Sequence, residues 1–250
     1  MHLLLTNDDG VSAPGLLALW RSLSELGHTI TVVAPANNMS AVGHRKTLHK
    51  PLRIDPATLA DGVTQAWACS GAPADAVALA LKGFLQAKVD LVVSGINSNF
   101  NLAQDMTYSG TVTAAMEGVI VGVPALAVST SARALVEYAP AASWARHVVA
   151  RILERGLPAG LLLNLNVPRD AQGLVITRQG RRIYHDVIVV RQDPRGRPYY
   201  WIGGDEPTGE AIEGTDVWAV THGQASLTPL DLDLTAHHAL TELQAFADVA

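Results

Sequence analysis

Two adjacent carboxylates, Asp8 and Asp9, stand in the run Thr6-Asn7-Asp8-Asp9-Gly10, directly after a short apolar stretch. Side by side at the tip of a strand they repel each other unless a cation lies between them, and a divalent metal is the economical partner. An Asx turn in which Asp9 accepts backbone amides explains the same spacing without a ligand, so the pair alone leaves both readings open. A second set of oxygen donors is Val92-Val93-Ser94-Gly95-Ile96-Asn97, followed by Asn99 and Asn101. Asn97 can offer its amide oxygen to a hard cation, although asparagines in loops also serve simply as turn formers. Ser40 is a weaker candidate whose case rests on converging with Asp8, Asp9 and Asn97. The third feature is Tyr108-Ser109-Gly110-Thr111-Val112-Thr113, a hydroxyl-rich turn at an expected helix start. Free amides and the positive dipole end there suit a phosphate, and Gly110 allows close approach, while an ordinary serine N-cap is the plainer account. An acidic metal site beside an anion site is the equipment of phosphoryl chemistry. His44 is a candidate general acid for a leaving alcohol, with a structural or solvated loop histidine as the alternative. The pair His237-His238 is assigned no ligand role, since neighbours on a helix do not share a face.

The elements that must position these residues are legible as an alternation of short apolar runs and helix-length amphipathic segments, the pattern of a mostly parallel, Rossmann-like α/β sheet covered on both faces. Strands are expected at Leu3 to Thr6, Thr29 to Ala34, Leu91 to Ser94, Ala125 to Ser129 and Leu161 to Asn166. Helices are expected at about Pro14 to Leu26, Pro73 to Gln86, Gly110 to Val121 and Ala142 to Arg155. Ser12 is placed to cap the first, Pro14 suits its first turn and Gly27 the left-handed residue after its end. This arrangement puts Asp8, Ser40, Ser94 to Asn97 and Ser109 to Thr111 in loops, most of them at the carboxyl edge where ligands bind in open α/β sheets.

From Leu174 the pattern turns to alternating β-like runs: Leu174 to Arg178, Ile183 to Arg191, Tyr199 to Ile202, Val217 to His222 and Ala225 to Pro229. These predict hairpins, with a final helix over Thr235 to Val249. The expected organisation is a core over residues 1–175 carrying the metal and phosphate site, and a hairpin arm with a tail helix over 176–250 for oligomerisation. Six of the fourteen arginines fall between Arg178 and Arg197, and neither Lys nor Arg follows Arg197. Basic arm and acidic tail either pair between subunits or form two solvated faces.

Composition narrows the class. A chain of 250 residues with 48% hydrophobic and 16% charged residues is a folded protein rather than a disordered one. Its net charge of −5 has the wrong sign for binding nucleic acid through the overall field. The single cysteine, Cys69, excludes an internal disulfide and a cysteine-rich zinc site. The longest apolar stretch, Val119 to Val128, is interrupted by Gly122 and Pro124 and is about half a membrane span. The N-terminus lacks the basic start and apolar length of a signal peptide, so a soluble, cytoplasmic protein is expected.

Nearly the whole chain resembles the SurE survival-protein family of metal-dependent nucleotidases. The resemblance is carried by Thr6-Asn7-Asp8-Asp9-Gly10 with Ala13-Pro14-Gly15, by Val32-Val33-Ala34-Pro35 with Ser40-Ala41-Val42-Gly43-His44, and by Gly71-Ala72-Pro73-Ala74-Asp75. Val92 to Asn97 and Tyr108 to Val112 complete the set in the family's order. The resemblance implies one divalent metal per subunit on Asp8, Asp9, Ser40 and Asn97, with Asp8 and Asp9 as the catalytic pair. It places phosphate contacts on Asn97, Ser109, Gly110 and Thr111. An all-oxygen set favours Mg or Mn over zinc. It further implies hydrolysis of nucleoside 5′-monophosphates, with 3′-monophosphates and short polyphosphate as further substrates, by a homodimer or homotetramer. Two departures stand out: Asn99 replaces the glycine usual two residues after the motif asparagine, and Ala72 and Ala76 replace a threonine and a cysteine. Arg45-Lys46 follows His44 where many relatives are small or apolar, which would shift preference toward more anionic substrates.

In the expected mechanism the cation polarises a phosphoryl oxygen and either water or Asp8 attacks phosphorus, a choice these residues leave open. The principal alternative is a receiver-like, Mg-binding signalling module without turnover, which is about half this length and needs a further phosphoacceptor aspartate and a lysine. A dinucleotide-binding oxidoreductase is disfavoured because no Gly-x-Gly-x-x-Gly follows the first strand.

Overall fold

The computed structural model describes residues 1–132 and 134–247. Strand β1 (His2–Thr6) is the hub. It pairs in parallel with β2 (Thr29–Pro35) on one side and β5 (Leu91–Asn97) on the other. Beyond β2 lie β4 (Gln65–Cys69), parallel to it, and the antiparallel edge strand β3 (Ile54–Thr58). Beyond β5 come β6 (Ala125–Thr130) and β7 (Leu161–Val167), both parallel. The sheet closes with β11 (Ala225–Asp231), antiparallel to β7, and β8 (Leu174–Ile176), parallel to β11. The nine-stranded order is β3-β4-β2-β1-β5-β6-β7-β11-β8. Neither β3 nor β4 is among the expected strands; Pro56 interrupts the β pattern of β3, which is tolerated because that strand forms an edge.

Period-two alternation on the central strands divides the core. Leu3 and Leu5 face a layer built from α1 (Pro14–Ser24) and α4 (Ala139–Arg155), with Leu16, Leu19, Ala145 and Val149 at the contact. Leu4 and Val92 face α2 (Pro73–Leu79) and α3 (Gly110–Ile120) through Val77, Val112 and Ala115. Both faces of the sheet are thereby dry, which is why its strands read as continuous apolar runs. Among the described residues no helix is long and apolar enough to cross a membrane.

Several local expectations are corrected. Ser12 does not cap α1; the N-cap is Ala13, without a side-chain bond, and Pro14 fills the first position where no amide partner is needed. Gly27 takes the expected left-handed conformation, φ +71°. Residues Ser94 to Asn97 are the end of β5 rather than a loop. Gly95 there has φ +137°, and a β-carbon on it would lie 2.4 Å from the Val128 carbonyl oxygen. The second helix ends as a π-helical turn over Ala80–Phe84, and α4 starts three residues early at Ala139.

After Leu174 the chain divides its loyalties. Only β9 (Arg182–Gln192) and β10 (Pro198–Gly209) form a hairpin, projecting from the body as a separate two-stranded sheet. The expected strand over Val217 to His222 is instead the short helix α5 (Asp216–Thr221), because the Thr215 hydroxyl accepts the Trp218 amide and starts a helix. Strand β11 returns to the central sheet. The expected tail helix is two 3₁₀ turns, His237–Ala239 and Glu242–Phe246, and its end at 248–249 lies outside the described residues.

Candidate active site

Because β1, β2 and β5 are parallel neighbours, their carboxyl ends deliver residues to one place. Thr6 pairs with Ser94, so Asp8 and Asn97 emerge side by side two and three residues further on. The loop after β2 brings Ser40, and the first turn of α3 brings Ser109. Asp8, Ser40, Asn97 and Ser109 line a single cleft of about 210 Å³, joined there by Asp105 and Tyr108. Asp9 faces an adjoining cleft of about 550 Å³ with Asn38, Ser98 and Tyr138, Ser98 being common to both.

Asn7, not Asp9, makes the local turn: its Oδ1 accepts the Gly10 amide at 3.2 Å and its Nδ2 donates to the Gly10 carbonyl at 2.9 Å. That leaves both carboxylates free for the site. Asp8 is 3% exposed and sits against the start of α3, accepting the Thr111 hydroxyl at 2.5 Å and the Thr111 amide. A β-carbon on Gly110 would lie 2.6 Å from the Asp8 Cβ, so only glycine lets the helix approach this closely. The Ser109 hydroxyl accepts the Val112 amide at 3.1 Å, so this serine does cap the helix.

Burial pushes the Asp8 carboxyl up to about 6; the Thr111 bond opposes the shift and the Asp9 charge adds to it. Burial also raises Asp9 above the usual carboxylate range, against hydrogen bonds from the side chains of Asn38 and Ser40 and from the Ser98 amide. Among the described residues no Lys or Arg forms an ion pair with either carboxylate. Two desolvated, like-charged carboxylates with no cationic side chain between them are a fit for a hard cation. Asn97 donates its Nδ2 to the Asn99 carbonyl at 2.8 Å, which leaves its Oδ1 without a protein partner among the described residues. The glycine-to-asparagine departure at position 99 therefore leaves intact the carbonyl that orients Asn97. Among the described residues no group of three His, Cys, Asp or Glu gathers, so neutral oxygens would have to complete any ligand set.

His44 does not line the cleft. Its Nε2 lies 3.3 Å from Glu117 Oε2, on the flank of α3. Asn101 is scaffolding: its amide donates to Asn166 Oδ1 and its Nδ2 to Ser129 Oγ, both at 2.8 Å, fixing the loop after β5 onto β6 and β7. Residues that sequence reading did not single out include Asn38, Ser98 and Tyr138. The Tyr138 phenol is raised by burial and by the Asp9 charge, and its ring reaches the site only because α4 packs on α1 beside Gly15. Asp105 ties the cleft to the hairpin, accepting Arg182 Nε at 2.7 Å and the Tyr184 hydroxyl at 2.9 Å. Burial and that bond push the Tyr184 hydroxyl up to about 12.

Known proteins are similar to this chain in sequence and in fold. A sequence model of the family described as Survival protein SurE matches residues 3–186. A Chloroflexus aggregans protein named 5′-nucleotidase SurE is 52% identical, with 98% of each chain covered. One of the same name from Herpetosiphon aurantiacus is 50% identical over 94% of each. The crystal structure of the SurE protein from Aquifex aeolicus superposes with a TM-score of 0.83 at 40% identity, covering 99% of this chain and all of that one. With its motifs in order, its sheet superposable and its sequence matched from end to end, the chain belongs to the SurE family.

Proposed function

We propose that this protein is a 5′-nucleotidase, a phosphoric monoester hydrolase that depends on one Mg or Mn ion per subunit. The observation that carries the reading is the seating of Asp8 against the first turn of α3, with the open Asn97 Oδ1 lining the same cleft and Asp9 next to Asp8 in the chain. Relatives at about half identity over nearly the full length bear the name of that activity.

Asp8, Asp9, Ser40 and Asn97 would hold the cation, an all-oxygen set suited to Mg or Mn. Such an ion, when bound, supplies Lewis-acid polarisation of a phosphoryl oxygen and acidifies water. The chain's own part is positioning. The Gly110 amide and Ser109 meet the charge that grows on the equatorial phosphoryl oxygens, Thr111 at the same turn holds Asp8 through its hydroxyl and amide, and Asn97 holds the ester in line. Asp8 either orients the attacking water or attacks phosphorus itself, and the stereochemistry at an isotopically chiral phosphorus separates the two, a single displacement by water inverting it and two displacements through an aspartyl-phosphate retaining it. The wider cleft beside Asp9, walled by Tyr138, has room for the nucleoside. The reading places the enzyme in the cytoplasm, where nucleoside monophosphates and magnesium are both at hand. It also assigns the hairpin to assembly of a homodimer or homotetramer, supported by its exposed Ile188, Trp201 and Ile202.

The test is phosphate release from nucleoside 5′- and 3′-monophosphates and short polyphosphate, with EDTA or with added Mg or Mn. Continuous release from 5′-monophosphates, abolished by EDTA and lowered at least ~100-fold by Asp9→Asn, is expected. Release of no more than one phosphate per chain would overturn the reading in favour of a signalling module.

A further inference from the structure

The carboxylate of Glu117 is 1% exposed on α3, and nothing in the proposed chemistry uses it. It lies six residues beyond Thr111, about 9 Å along the helix axis, too far down to share a ligand with Asp8. A buried charge has to be paired, and both of its partners come from one segment: Lys46 Nζ at 2.5 Å and His44 Nε2 at 3.3 Å. That segment is the loop after β2, which carries Ser40. It has no regular secondary structure from Ser40 to Thr47, and Ala41 and Gly43 take positive φ, +57° and +59°.

Ser40 itself donates its amide to Asn38 Oδ1 at 2.8 Å and its side chain to Asp9. The Met39 amide donates to the Asp8 carbonyl at 2.7 Å, the Gly43 amide to the Tyr108 carbonyl at 3.0 Å, and the Thr113 hydroxyl to the Gly43 carbonyl at 3.0 Å. Further on, the Thr47 amide donates to Asp75 Oδ1 at 3.0 Å. These are neutral donors or single carboxylate bonds between mostly backbone groups. The Lys46–Glu117 ion pair, with His44 hydrogen-bonded to the same carboxylate, is the only Lys or Arg ion pair holding the loop among the described residues.

We propose that Glu117 is a positioning residue: by anchoring His44 and Lys46 to α3, it fixes Ser40 relative to Asp8, whose own place is set by the start of the same helix. One helix thereby holds two arms of the site, one at its first turn through Thr111 and one on its flank through Glu117. Lys46 is the anchor's outer half, so its charge is spent on the loop rather than on the substrate. The proposal rests on the assignment of Ser40 to the cation site made above.

Mn(II) alone is the probe, followed by electron paramagnetic resonance on the full-length protein without substrate. Wild type binds it; Glu117→Gln keeps the shape, loses the charge and binds it about tenfold more weakly, the scale of losing a residue that orients a ligand. Lys46→Met weakens binding in the same direction and Lys46→Arg restores it. In turnover assays the half-saturating Mn concentration rises in step, while kcat at saturating Mn stays within about threefold. A general packing defect would instead lower the active fraction at unchanged affinity, and that result overturns the proposal. So does wild-type affinity in a folded Glu117→Gln. Should that variant fail to fold, the surface substitution decides: wild-type affinity in Lys46→Met overturns the proposal. Wild type that neither binds Mn nor releases phosphate defeats the site assignment itself, an outcome distinct from equal binding by wild type and variants.

Discussion

Asp8→Asn is expected to stabilise the metal-free protein above neutral pH, even though it removes a residue proposed to hold the cation. Asp8 is almost fully buried, and its carboxyl is held at about 6 instead of the ordinary 3.8. A folded state that binds a proton more tightly than the unfolded chain loses stability as pH rises between the two values. At 1.36 kcal/mol for each tenfold change in acidity, the loss is about 3 kcal/mol once the group is ionised, and about half of that at pH 5. Asparagine is nearly isosteric and its Oδ1 still accepts the Thr111 hydroxyl, so the variant escapes the charge penalty without opening a cavity. At about 2–4 °C per kcal/mol for a chain of this size, the variant should melt about 6–12 °C above wild type at pH 8 in EDTA. The gap should shrink as pH falls through 6 toward 4. Scanning calorimetry across pH 4.5 to 8 measures it, and added Mg should close the gap from the wild-type side. A difference that does not change with pH, or a variant less stable than wild type throughout, would refute the reasoning.

Gly110→Ala places a β-carbon 2.6 Å from the Asp8 Cβ, so a loss of about 1–3 kcal/mol is expected together with a raised KM. Unchanged melting and kinetics would show that the helix start has slack the geometry does not suggest. Thr111→Val removes a bond that favours the ionised Asp8, so the carboxyl should titrate higher still in the metal-free protein. Carboxyl ¹³C NMR reads this directly, and a midpoint at or below wild type contradicts it. Ile188→Asp with Ile202→Asp, a cross-strand pair exposed on the hairpin, should reduce the size of the assembly in light scattering. An unchanged mass would remove the hairpin from the interface.

The parallel core was legible in the sequence because its strands are dry on both faces and so spell continuous apolar runs, as at Leu3 to Leu5 and Leu91 to Val93. That Asp8, Asn97 and Ser109 stand at strand ends or a helix start was legible for a related reason, since each closely follows or ends a buried run or opens a helix, although turn formation and capping explain the same residue types without a ligand. What the sequence could not order was anything decided by partners far along the chain. Val217 to Thr221 has a strand's composition, yet the Thr215 cap starts a helix whose Asp216 accepts the amides of Ala103 and Gly180. Ala225 to Pro229 reads as half a hairpin, and only pairing with β7 and β8 returns it to the central sheet. His44 reads as a loop residue, and less readily as a general acid, until Glu117, 73 positions away, is seen beneath it. Tyr138 carries no signal at all in the sequence; it borders Asp9 because two helices pack. Local pattern thus determined which residues are buried and which stand at strand ends, since those depend on neighbours a few positions away. The tertiary structure alone decided which of those ends meet, because burial and charge pairing act between segments that the chain itself holds far apart.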